Sequence, residues 1–185
     1  MRIKSMAALA VLASCSVAIA HAAETAPFDA ATVDIADILA CKIDGGHYVG
    51  FSMSFSDDDS PGGAKARGWV RLPPPSPLFS AYRLPKPLNV FGQTTSTVAF
   101  KGSAMLAVLD LADATALGAQ QGVTNVLPGT GRFMGERLVD DSTRVDAETG
   151  FRFKNRSSLK ITTNPAFPGK TLIGCEYDGQ LQPPA

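Results

Sequence analysis

Histidine is the scarcest chemically useful residue in this 185-residue chain, which has two, His21 and His47. His21 falls in the leader described below, so His47 stands alone. One imidazole cannot build a multi-histidine zinc site. A serine–histidine–aspartate triad would have to use His47, and no Gly-x-Ser-x-Gly elbow supplies the serine. An excess of one charge is also missing, since 17 Lys and Arg face 17 Asp and Glu. Nucleic-acid binders are usually strongly basic, so no nucleic-acid partner is expected. No apolar run reaches the roughly 20 residues that carry a helix across a bilayer. With 45% apolar and 18% charged residues, the composition is that of a folded chain and not of a disordered one.

The chain begins with Arg2 and Lys4, an apolar run over residues 6–13, and a continuation at 17–20. Ala20-His21-Ala22 then places small residues around a larger one. This order predicts a signal peptide over 1–22 and a single exported domain over 23–185. The leader takes two cations and no acid with it, so the exported domain carries a small net negative charge. A competing cut is offered by Leu12-Ala13-Ser14-Cys15, which resembles the lipobox of bacterial lipoproteins. That cut would leave a membrane tether on Cys15. The apolar residues that follow Cys15 favour the soluble product, periplasmic or secreted, over the anchored one.

Outside the leader the chain has two cysteines, Cys41 and Cys175. In an oxidising compartment the expected state is a disulfide, pinning an early segment to the last element of the fold.

Periodicity gives the coarse elements. Residues 34–43 read as a helix opened by Asp34 and ended by Gly45-Gly46. Residues 47–56 stay open: Val49, Phe51, Met53 and Phe55 alternate as in a strand, while Tyr48, Phe51 and Phe55 would share a helix face. The proline-rich stretch 68–87 reads as an extended, polyproline-like surface connection held by Trp69, Phe79 and Tyr82. Two strands are expected around a turn at 93–96, the second placing Val98, Phe100, Ala104, Leu106 and Val108 on one face. A short helix capped by Asp113 should close at Gly122. C-terminal hairpins turn near 146–150, and the final strand points Ile173, Cys175 and Tyr177 one way. The fold class is α+β: an antiparallel sheet with helices packed on one face and one disulfide.

Several motifs fail on inspection. Gly169-Lys170-Thr171 lacks the glycine five positions earlier that a phosphate loop needs, where Asn164 stands. The glycines at 129, 131 and 135 miss the dinucleotide spacing by one residue. A calcium loop counted from Asp57 would have Pro61 and Gly68 at positions that require ligands. Asn155-Arg156-Ser157 is a glycosylation sequon in pattern alone. No catalytic residue, metal or cofactor is therefore expected. The one surface feature is a strip on the strand at 151–161, where Arg152, Lys154, Arg156 and Lys160 share a face. Glu136 and Asp140 on the neighbouring strand could balance it. Such a strip suits an acidic protein or an anionic envelope component. The sequence points to a non-catalytic exported envelope protein, a binding, inhibitor or assembly module acting through a sheet surface. The alternative is a hydrolase of wall or surface glycans built on two of Glu136, Glu148 and Glu176.

Overall fold

A computed structural model describes residues 28–57, 59–145 and 150–183. The expected signal peptide over 1–22 with Cys15, and also Asp58 and Glu148, lie outside the described residues. Three helices and seven strands follow in the order α1 (Ile35–Leu39), α2 (Gly45–Ser56), β1 (Val70–Arg71), β2 (Ser80–Val90), β3 (Gln93–Lys101), β4 (Ala104–Leu109), α3 (Thr115–Gln121), β5 (Met134–Val145), β6 (Arg152–Thr163) and β7 (Thr171–Gln182). The strands form one antiparallel sheet in the order β1-β2-β3-β4-β7-β6-β5. The class is α+β. Among the described residues, no helix is long and apolar enough to cross a membrane.

Asp34 opens α1 as expected, its carboxylate accepting from the Ala36 N–H. The helix stops four residues short of the predicted end because Cys41 takes a left-handed backbone, φ 57°. Gly45 and Gly46 then begin α2 and do not end α1. Asp44 caps them, accepting from the His47 N–H. Residues 47–56 are therefore helical. Tyr48, Phe51 and Phe55 are buried together, while Val49 and Met53 face solvent.

The proline-rich stretch is a strand over much of its length. Pro85 and Pro87 fall where β2 loses register with β3, between Arg83 and Leu88. On the other side β1 pairs only Tyr82 and Arg83, so neither proline has to donate to a ladder. The next turn is Phe91-Gly92, with φ 55° and 72°, and not 93–96. Paired positive φ values match the twist of a two-residue hairpin. Gly102, φ 57°, then splits the long apolar run into β3 and β4. That extra turn moves Val98 and Phe100 to the opposite face from Ala104, Leu106 and Val108, contrary to the alternation read through it.

Two clusters result. Ile38, Leu39, Tyr48, Phe51 and Phe55 pack with Val98, Met105, Leu159, Ile161 and Ile173. Ala114 and Leu117 of the α3 region join the same cluster. The alternate strand positions Ala81, Ala99, Ala104, Leu106 and Leu172 form a smaller group with Phe79 and Phe167, which reach in from loops. Phe79 and Phe167 meet edge-on at 5.2 Å.

Cys41 and Cys175 form the disulfide, with Cα atoms 5.2 Å apart. Beside it the Tyr177 hydroxyl donates to the Ile38 carbonyl at 2.7 Å, and its ring stacks on Tyr48 at 4.3 Å. Burial pushes the Tyr48 phenol up to about 12. Burial, and next the neighbouring Tyr48, pushes Tyr177 higher still. A phenol raised above its unfolded value near 10 favours the fold fully below about pH 10, and this contribution is lost as pH climbs further. Alkaline unfolding is thus expected to coincide with phenolate absorbance from these two rings. Ionisation of both below pH 10 with the fold intact would contradict the packing.

Candidate functional site

β6 pairs with β7 without a register break from Arg152 to Thr163, so strict alternation holds along it. Arg152, Lys154, Arg156 and Lys160 therefore lie on one face, the face of Ala104, Leu106 and Leu172. Acids from both neighbouring strands run between these cations. Lys154 pairs with Asp141 at 3.8 Å, and Arg156 with Glu136 at 3.6 Å. Lys160 pairs with Glu136 at 3.4 Å and with Glu176. Asp141 takes the place expected for Asp140, because a bulge between Leu138 and Asp140 shifts the register of β5 by one residue. Burial alone would lower the Lys160 ammonium, but Glu176 and then Glu136 outweigh it and the net shift is upward. Lys160 is held charged between two carboxylates.

Next to Lys160 the same face hollows into a cavity of about 390 Å³. Ala104 and Leu106 form its floor, and Phe79, Val126 and Met134 its apolar walls. Val126 and Met134 are 61% and 47% exposed, so apolar surface there is open to a ligand. The rim carries Lys101 and Arg132 in addition to Lys160. Lys101 lies over the Phe79 ring, 5.7 Å from its centre. Among the described residues neither Lys101 nor Arg132 has a carboxylate partner. The lining also holds Glu136 and Glu176, both paired with Lys160, so Lys101 and Arg132 are its two cations without an ion pair among the described residues. On the far side of Phe167 a second hollow of about 550 Å³ is bordered by Thr94, Thr97, the Asp110–Lys170 pair and Pro73.

Of the three carboxylates considered for hydrolysis, the sheet brings Glu136 and Glu176 together across Lys160. Glycoside hydrolysis places the reacting bond between its two carboxyls, and here the Lys160 ammonium occupies that place. His47 pairs with Asp44 at 2.6 Å and stacks on Phe28, 4.6 Å away. It holds the start of α2 with no hydroxyl or thiol partner beside it among the described residues. No group of three His, Cys, Asp or Glu among the described residues is placed to hold a metal.

The strip was readable from alternation along one strand. Lys101, Arg132, Phe79 and Met134 were not, because they come from β3, two loops and β5, and long-range pairing alone brings them together. No protein-family model, curated protein or solved structure matches the chain.

Proposed function

We propose that this is an exported, non-catalytic binding module of the cell envelope that takes an anionic partner on the charged face of its sheet. In this reading the helices form a layer on the opposite face and leave the charged one accessible. The observation that carries the proposal is the hollow beside Lys160, where three cations face two carboxylates and Lys101 and Arg132, outside any ion pair among the described residues, stand over Ala104 and Leu106. A side chain or headgroup with an apolar body and an anionic tip complements that arrangement. The strip from Arg152 to Arg156 extends the contact along β6, its acids setting register and selectivity more than affinity. An acidic protein and an anionic envelope component are the two partner classes with this chemistry. The disulfide fits an oxidising compartment outside the cytoplasm. Release by cleavage after Ala22 or a tether at Cys15 are both compatible with it.

The test is equilibrium binding to polyglutamate and to phosphatidylglycerol vesicles, with the variants K101E/R132E and R152E/K154E. One of the two probes should bind, with affinity that falls as salt rises. K101E/R132E should lose about tenfold or more, on the order of 1.4 kcal/mol, and R152E/K154E less. Binding unaffected by K101E/R132E would refute the assignment of the hollow. The alternative, glycan hydrolysis, draws on the proximity of Glu136 and Glu176. Release of reducing ends from wall glycan, abolished by Glu176→Gln, would establish it instead.

A further inference from the structure

We infer that two copies of this chain pair edge to edge through β5, antiparallel about a two-fold axis at Ser142. β5 is the terminal strand of the sheet and runs 12 residues. Its beginning is covered from outside: the Val126 N–H donates to the Met134 carbonyl, and the Arg137 side chain donates to the Gln121 carbonyl. Beyond the bulge that cover ends. Residues 140–145 pair with β6 in unbroken register on one side and make no backbone hydrogen bond on the other among the described residues; on the sheet face Arg144 borders a hollow with Asp44 and Gly46 of the α2 start. An open strand edge is a template for another strand, and the charges of Asp140, Asp141 and Arg144 on this one exclude partners that do not complement them.

Charge selects the occupant and the register. Asp140, Ser142 and Arg144 lie on one face of β5, opposite Ser157, Asn155 and Phe153 of β6. Asp140 and Arg144 stand four residues apart with Ser142 midway. Reversing a second copy about Ser142 sets Asp140 against Arg144 of the other copy, twice by symmetry. It also sets Val139 against Val145 and Asp141 against Thr143. Moving the axis to residue 140, 141 or 144 opposes an acid or a base to its own copy, and moving it to 143 carries Asp140 past the end of the strand. Opposite charges directly across an antiparallel pair stabilise it and like charges destabilise it. Arg144 has no ion pair within its own chain among the described residues. The Asp140 carboxylate accepts from the Ser142 hydroxyl, a local contact that leaves its charge unneutralised.

The axis stands perpendicular to the sheet, so both copies turn the same face to the same side. If the hollow beside Lys160 binds as proposed, the pair presents two such hollows on the same side but at its opposite ends, since Met134 lies at the start of β5 and the axis near its end, an arrangement suited to an extended anionic surface.

Cysteine placed on the axis reports the register. Directly opposed Cα atoms in an antiparallel pair lie about 4.5–5.5 Å apart, within the span of a disulfide. In the purified full chain, Ser142→Cys should therefore give a covalent dimer under mild oxidation, while Asp141→Cys and Thr143→Cys should not. In sedimentation, Asp140→Arg or Arg144→Asp alone should weaken self-association about tenfold or more, as two like-charge contacts replace two opposite ones. The double exchange D140R/R144D should restore it, because the charges meet again in swapped places. A wild-type monomer at every soluble concentration, cross-linking at 141 or 143 equal to that at 142, or a double exchange as weak as its singles would overturn the inference.

Discussion

Replacing Cys41 and Cys175 together by alanine is expected to lower unfolding stability by about 3–5 kcal/mol and Tm by on the order of 10 °C or more. The bond joins residues 134 apart in sequence. In the chain-entropy account a loop of that length removes about 5 kcal/mol of unfolded-state freedom, which matches the lower end of the whole net stability of a small domain. What the bond holds in place makes the effect large. α1 is a five-residue helix, too short to persist without tertiary packing. Its tie to β7 consists of the disulfide, the Tyr177–Ile38 hydrogen bond and the burial of Ile38 and Leu39. Without the bond, α1 and the left-handed turn at Cys41 should loosen before the sheet does. Thermal unfolding of the double variant followed by circular dichroism checks the magnitude. Hydrogen exchange should show amides of residues 35–41 opening first. A Tm within about 3 °C of the parent, roughly 1 kcal/mol or less for a domain of this size, would show that the staple carries little of the fold.

Phe51→Ala is expected to cost about 3–5 kcal/mol, and Met53→Ala less than about 0.5 kcal/mol. Phe51 is fully buried, between Tyr48 and Phe55 with Arg67 over its ring, whereas Met53 is 70% exposed. The contrast decides between two structures. A strand would put residues 51 and 53 on the same face, and truncating either would then cost a similar amount. A helix turns them about 200° apart. Chemical denaturation of the two variants reads this directly. Equal losses would return residues 47–56 to a strand.

This segment also shows where local pattern stops being informative. Val49, Phe51, Met53 and Phe55 satisfy a period of two, and Tyr48, Phe51 and Phe55 satisfy a helix, so apolar spacing alone left the choice open. Asp44 decides it by capping the N-terminus, and the glycines that looked like a stop lie inside the first turn. The same limit applies to β2. Its prolines argue for a surface connection, and only the register break opposite them and the short β1 explain how a strand accommodates them. Gly102 is the third case. One residue in a left-handed turn reverses the chain, and every face assignment that counts through it is inverted on one side.

The C-terminal hairpins were legible because β6 and β7 alternate cleanly and join through short connections. Cys175 could be placed on the apolar face by counting from Ile173 and Tyr177, and the disulfide was expected because reading residues 1–22 as a signal peptide leaves Cys41 as its one partner. The candidate site was legible by half. Arg152, Lys154, Arg156 and Lys160 share a face by simple alternation. One of their acids, Asp141 in place of Asp140, depends on a bulge at the Leu138–Asp140 step that no local pattern announced. The hollow depends on Phe79 and Val126 arriving from loops separated by the whole of β2, β3, β4 and α3. A strand carries its own period in its sequence; which strands become neighbours is fixed by packing across the chain.

The assignment of the charged face can be read from two methionines. Met134 walls the hollow, and Met53 is more exposed but lies on the outer side of α2. Both should oxidise under mild peroxide, while Met105, fully buried, should not. Peptide mass spectrometry with and without a saturating anionic probe, polyglutamate or phosphatidylglycerol vesicles, then compares them within one sample. Binding in the hollow predicts that oxidation of Met134 slows severalfold while Met53 is unchanged. Protection of Met53 alone, or no protection of Met134 by a probe that demonstrably binds, would place the ligand elsewhere and contradict the proposed function.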